Sequence, residues 1–320
     1  MRVSYCEGYY VSLPEQHPFP MGKFPALRDI LLREGLIQEK DIVGPEQAAW
    51  DDLRLIHSED YLDKLARGGL SRKEERRLGL PWSEALVRRS RLAVGGTLQA
   101  ARMALEDAIA ANLAGGTHHA FPGFGEGFCV LNDVAVTIAV LRREEVIERA
   151  LVIDLDVHQG NGTAAACQGE EAVYTFSMHG EKNFPFVKEC SSLDVGLGDG
   201  LTDGEYAEIL AAHLPQVLEA ARADIVFYLA GVDPVVGDRY GRLALSRSGL
   251  RARERMVLEQ VKATGAALVL LLSGGYAPTP QQTADLHAEV HRVARELYGT
   301  NERKKKGEQR KTAAGFHRSR

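Results

Sequence analysis

Four short apolar runs punctuate the chain: "ALVIDLD" (150–156), "AVYTFSM" (172–178), "DIVFYLA" (224–230) and "ALVLLLS" (267–273). Each is rich in Val, Ile, Tyr or Phe and is bounded by polar or glycine residues. That is the pattern of strands covered on both faces. Between them, residues 203–223 and 246–265 read as helices, the second opening on Ser/Gly and stopping at Gly265. The N-terminal part reads as helical over 24–35, 58–69, 83–108 and 132–145, the last with an Asx start. Alternating strand and helix implies an α/β fold, a mostly parallel central sheet flanked by helices. No Pro/Ser/Gly linker divides the middle and no solenoid repeat is visible, so residues 1–300 are expected to form a single domain.

Composition changes this picture little. With 45% hydrophobic and 26% charged residues in 320, the chain can bury a sizeable core, and disorder, collagen and coiled coil are excluded for its bulk. The longest apolar run, "AALVLLL" (266–272), is far short of the roughly 18 to 20 residues a bilayer span needs, and the start shows no secretory pattern. No membrane association and a cytoplasmic location are expected. The four cysteines are scattered with no CxxC pair, which argues against a disulfide framework or a cysteine zinc knuckle. Net charge is −5, but residues 301–320 carry eight Lys/Arg against two Glu, leaving the body at about −11 and the tail at about +6. The tail is expected to be flexible, and it is the one place where nucleic acid or an acidic partner would be met.

In an open parallel sheet the ligand site lies beyond the carboxyl ends of the strands. Here those ends run into "DLDVHQGNG", "SMHG", "AGVDPVVGD" and "SGGY". On an extended strand Asp154, Asp156 and His158 project to one face. Three polar groups leaving an apolar strand are costly to bury without a compensating cation, although an isolated Asp-x-His also serves as a plain strand-end cap. A third ligand would come from Asp233 or Asp238. Two Asp and one His with a place left for water is an open, catalytic type of site, suited to zinc or ferrous iron. His118 and His119, adjacent in a loop, cannot easily both face one ion and read better as bases near a metal-bound water. Tyr276, after two glycines, is positioned to present a phenol to a substrate carbonyl. The Gly-rich "GFGEG" follows no predicted strand and lacks a Walker lysine, so it is not a nucleotide loop. His57, Trp50 and Trp82 are assigned to packing and "HPFPMGKF" (17–24) to an entry loop.

In this order, "GGTHHAFPGFGEGFCVLND", "VIDLDVHQGNGT", "AGVDPVVGDRYGRLALS" and "SGGY" resemble the zinc-dependent histone deacetylase superfamily, which also contains acetoin-utilisation proteins and acetylpolyamine amidohydrolases. The opening "HPF...GKF" and Ser273, where many relatives have Gly, look closest to class IV deacetylases and their bacterial relatives. The resemblance implies a three-layer arginase/deacetylase fold. It implies Asp156, His158 and Asp238 as metal ligands, with Asp233 a nearby structural acid. It makes His119 the general base and acid, His118 a residue that tunes the local field, and Asp154 the group that orients His118. Asn161 falls where many members have Asp, so the partner of His119 is uncharged. Tyr276 would polarise the scissile carbonyl, Gly127 would offer its carbonyl to the substrate amide, and Phe128 and Phe184 would wall the channel. A structural potassium ion is implied near Asp154, Asp156, His158, Ser177 and Met178.

The leading expectation is a metal-dependent amidohydrolase that removes acetyl or longer acyl groups from lysine side chains of proteins. A deacetylase of small acetylated amines such as polyamines differs only at the channel mouth. A non-catalytic acyl-lysine binding protein is the reading from outside enzymology.

Overall fold

The computed structural model describes residues 1–299. The basic stretch at 301–320 lies outside the described residues. Eight strands, β1 (Val3–Ser4), β2 (Ile42–Val43), β3 (Ile109–Asn112), β4 (Ala150–Asp154), β5 (Val173–Gly180), β6 (Leu193–Leu197), β7 (Ile225–Leu229) and β8 (Ala267–Leu271), form one sheet in the order β2-β1-β3-β8-β7-β4-β5-β6. Every neighbouring pair is parallel. The helices are α1 (Lys23–Arg33), α2 (Trp50–Leu53), α3 (Glu59–Arg67), α4 (Arg72–Leu78), α5 (Glu84–Asp107), α6 (Asp133–Arg143), α7 (Asn161–Ala166), α8 (Asp203–Ala221), α9 (Arg247–Thr264) and α10 (Pro280–Tyr298).

The unbroken apolar runs follow from this layering. Along β4, Leu151 and Ile153 enter one core while Ala150 and Val152 enter the other; Val226 and Tyr228 of β7 and Leu268 and Leu270 of β8 divide from Phe227 and Val269 in the same way. One core is closed by α1, α8, α9 and α10, through residues such as Leu27, Leu214, Val257 and Ala288. The other is closed by Ala100, Ala101 and Ala104 of α5 and by Val134 and Ile138 of α6. Both faces of each central strand are dry, so alternation with polar residues is absent. The result is the expected three-layer α/β arrangement, with a sheet that is wholly rather than mostly parallel.

Helix ends obey local rules. Ser246 caps α9 by accepting from Gly249 N, and Gly265 ends it at φ +81°. Asn132 caps α6 through a 3.0 Å bond from Ala135 N, which aims the first turn of α6 at the loop after β3. Because β3, β8, β7, β4 and β5 are consecutive in the sheet, the loops leaving their carboxyl ends are neighbours. Those loops hold the chemistry-bearing motifs.

Candidate active site

The tandem histidines ride on the loop that leaves β3. Gly116, at φ +75°, lets this loop lie against the one leaving β8, where a Cβ would fall 2.7 Å from Ser273 N. Asp133, buried in the first turn of α6, then clamps the segment: its carboxylate accepts from Gly116 N (3.0 Å), Thr117 N (2.8 Å) and the Thr117 and Thr97 hydroxyls. The rings of His118 and His119 follow with centroids 4.1 Å apart, and both side chains are buried.

Their partners separate their proton affinities. His118 Nδ1 meets Asp154 Oδ2 at 2.7 Å. Burial works against a charge on His118, but Asp154 and Asp156 outweigh it and hold the ring up at about 9. His119 Nδ1 meets Asn161 Oδ1, also at 2.7 Å. Burial, then the positive charges of His118 and His158, push His119 well below its ordinary value, and the Asn161 bond does not offset them. The two proton affinities are thus driven apart, His118 upward and His119 downward, the kind of separation that acid–base sites use.

A buried group of three donors lies beside the pair. His158 Nδ1 is 3.0 Å from Asp156 Oδ1 and 3.1 Å from Asp233 Oδ2, and ligand atoms of all three residues fall within 4.8 Å of one another. Donors bound at about 2.0–2.1 Å in a tetrahedron stand about 3.3 Å apart, so this spacing fits a zinc-sized divalent cation. Burial opposes charge on His158, yet its bonds to Asp156 and Asp233 hold a proton there up to about 10. The potential that holds this proton would equally hold a metal ion, with which it competes. The remaining carboxylate oxygens are fixed: Asp156 Oδ2 accepts from Gly274 N (2.6 Å) and the Ser273 hydroxyl (2.8 Å), and Asp233 Oδ1 accepts from Val157 N (2.9 Å).

This geometry corrects the expected ligand set. Asp238 is not part of the cluster, because its carboxylate is spent on backbone donors: Oδ1 accepts from Tyr240 N (2.8 Å) and Gly241 N (3.1 Å), and Oδ2 from Tyr276 N (2.6 Å). It closes a turn and anchors Tyr276. In the cluster, Asp233 stands where Asp238 was expected.

Tyr276 lines the same narrow cavity as His118, His119, Gly127, Phe128, Asp156 and His158, whose free space of about 30 Å³ admits a water molecule. Burial, reinforced by Asp156 and Asp233, pushes its phenol well above the ordinary range, so it stays a donor. Gly127 approaches His119 so closely that a Cβ would lie 2.7 Å from His119 Cδ2. Its carbonyl meets only the Cys129 thiol, at 3.6 Å, among the described residues. The Phe128 ring lies 6.0 Å from Tyr276, and the Phe184 ring stands edge-on 5.0 Å from His119. Asp154 and Ser177 are paired across β4 and β5, and the Ser177 hydroxyl is 2.9 Å from His179 Nδ1.

Four contributors were not singled out from sequence. Asp133 is hidden in an ordinary-looking helix start. Phe19 of the entry loop packs 5.3 Å from Phe128, and Tyr240 packs 4.9 Å from Tyr276, both by contacts that no spacing encodes. Lys23, buried in α1, donates to Ser273 O at 2.9 Å; burial drives its ammonium down to about 8 against the pull of Asp233 and Asp156. His57, assigned to packing, is buried and braces two loops, accepting from Asn132 N at 3.0 Å and donating toward Phe121 O at 3.1 Å.

The histone deacetylase domain model matches residues 17–293. The chain is 47% identical over 298 residues to an uncharacterised protein of Picosynechococcus sp., covering 92% of this chain and 99% of that one. It is 32% identical to histone deacetylase 2 of Arabidopsis thaliana, covering 86% and 74%. Among solved structures, an HDAC homolog complexed with SAHA superposes with a TM-score of 0.73 at 27% identity, covering 94% of this chain and 89% of that one. The shared architecture is the arginase/deacetylase fold. With most of its length matched, the chain belongs to the histone deacetylase family and is a hydrolytic deacetylase.

Proposed function

We infer that the protein hydrolyses the amide of acylated lysine side chains, acetyl or longer. The observation that carries this reading is that His119, pushed by burial well below its ordinary value, and Tyr276, pushed by burial well above its own, line one cavity with Asp156 and His158, two of the three clustered donors. Asp156, His158 and Asp233 would hold a divalent cation, zinc or ferrous iron, which when bound would supply Lewis acidity toward a carbonyl and a water molecule near neutral pH. His119 Nε2 takes the proton of the attacking water, since Nδ1 is engaged by Asn161. The Tyr276 phenol donates to the carbonyl oxygen as it becomes an oxyanion. His119 then returns the proton to the leaving nitrogen as the C–N bond breaks, giving a free amine and a carboxylate. His118, held cationic by Asp154, keeps the developing negative charge in favourable company and discourages a second proton on His119. Gly127 would receive the substrate N–H, with Phe128 and Phe184 walling the acyl chain. Potassium would sit against Asp154, Asp156, His158, Ser177 and Met178; the buried backbone carbonyls of Asp156 and His158, with no hydrogen bond among the described residues, support it.

A cytoplasmic setting suits four unpaired cysteines and the absence, among the described residues, of any helix long and apolar enough to cross a membrane. Substrate class is settled by presenting acetyl-lysine peptides, long-chain acyl-lysine peptides and acetylpolyamines to the purified protein. The expected result is a kcat/KM for acyl-lysine peptides at least about tenfold above that for polyamines, roughly 1.4 kcal/mol of discrimination. A preference for the polyamine would replace this substrate with the small-amine alternative.

A further inference from the structure

The carboxamide of Asn161 touches two residues. Its Oδ1 lies 2.7 Å from His119 Nδ1, and its Nδ2 donates to Glu126 Oε2 at 3.0 Å. An aspartate behind a histidine can only accept, whichever way it turns. An asparagine presents an acceptor on one side and a donor on the other, and a half-turn of the amide exchanges them. With the NH₂ toward His119, Nδ1 would have to accept, the proton would move to Nε2, and the ring would lose the lone pair that faces the cavity. Something must hold the amide in the productive orientation.

Glu126 has the chemistry and the placement to do so. Its carboxylate is acceptor-only and therefore demands the NH₂ side of Asn161. Its backbone is pinned by a reciprocal pair of bonds with Cys129, Glu126 N to Cys129 O at 3.1 Å and Cys129 N to Glu126 O at 2.8 Å. The turn between them carries Gly127 and Phe128. The side chain that orients the amide thus belongs to the same turn that lines the cavity. We propose that Glu126 is a positioning residue that fixes the flip of the Asn161 carboxamide and, through it, the Nδ1–H tautomer of His119.

This rests on His119 being the proton acceptor, but it can be read without turnover. In zinc-loaded full-length protein with isotope-labelled histidine, nitrogen NMR shifts report which ring nitrogen of His119 carries the proton. The wild type is expected to show Nδ1–H. Glu126→Lys places a donor where the acceptor was, so Asn161 should flip, His119 should move to Nε2–H, and kcat should fall about a hundredfold with KM within about twofold. Adding Asn161→Asp to that variant gives the lysine a carboxylate and restores an acceptor behind His119. The double variant should return to Nδ1–H and recover kcat to within about tenfold of wild type. A merely structural defect would not be repaired in this way. An unchanged tautomer in Glu126→Lys, or a double variant no better than the single, would overturn the proposal. A tautomer that follows this pattern in a protein inactive on every acylated amine would uphold the role of Glu126 and remove the deacylase reading instead.

Discussion

Replacing Asp233 with Ala is expected to lower metal affinity by more than about a hundredfold and to take activity with it, while Asp238→Asn leaves metal content unchanged. The two aspartates are five positions apart in one loop but have different work. Asp233 Oδ2 faces His158 Nδ1 at 3.1 Å in the buried cluster. Removing it leaves two donors and a cavity in place of a carboxylate. Asp238 has no oxygen to spare, since all three of its contacts are backbone N–H groups. In Asp238→Asn an amide donor would face Tyr276 N, so Tyr276 should shift and kcat should fall about tenfold to a hundredfold at constant metal occupancy. A lost charged hydrogen bond of about 1.5–3 kcal/mol corresponds to that range. Metal analysis of the two purified variants checks this directly. Normal metal in Asp233→Ala, or an empty Asp238→Asn, would restore the ligand assignment that the family resemblance implied.

The second large effect falls on the proton and oxyanion chemistry. His119→Ala should lower kcat by about 10²–10⁴, the range for removing a general base, and Tyr276→Phe by about 10²–10³, the range for one oxyanion donor. KM should move little in either, because the interaction each group supplies is made in the transition state and not in the ground state. Both variants should remain folded and metal-bound, since neither residue belongs to the Asp156/His158/Asp233 group. Steady-state kinetics with metal analysis distinguishes these outcomes from collapse of the site. Undiminished kcat in either variant would contradict the assigned role.

What was legible in the chain follows physical lines. β4, β7 and β8 announce themselves because helices cover both faces and nearly every position is apolar, whereas β5 is legible from its Val, Tyr and Phe although Thr175, Ser177 and His179 alternate with them. β1 and β2 are two residues each, too short for any pattern. The edge strand β6 is half-exposed, and its "LDVGL" reads like a loop. β3, "IAAN", follows a long helix and carries little β preference, so the histidine loop had no visible strand to launch it. In the site, His118 meets Asp154 and His119 meets Asn161 across 36 and 42 residues, contacts that no local spacing encodes. The choice between Asp233 and Asp238 was not legible, because it depends on which carboxylate the following turn consumes. Glu126 was invisible for a related reason: nothing local marks a glutamate whose partner is 35 residues away.

We propose that the Asp156/His158/Asp233 group and His119 together make a metal-dependent acyl-lysine hydrolase. Release of free acid from an acyl-lysine peptide, followed before chelation, after chelation and after zinc is added back, tests it most directly. Turnover that is lost with the metal and returns with it is the predicted result. A zinc-loaded protein that releases no acid from acetyl- or long-chain acyl-lysine peptides would rule this activity out.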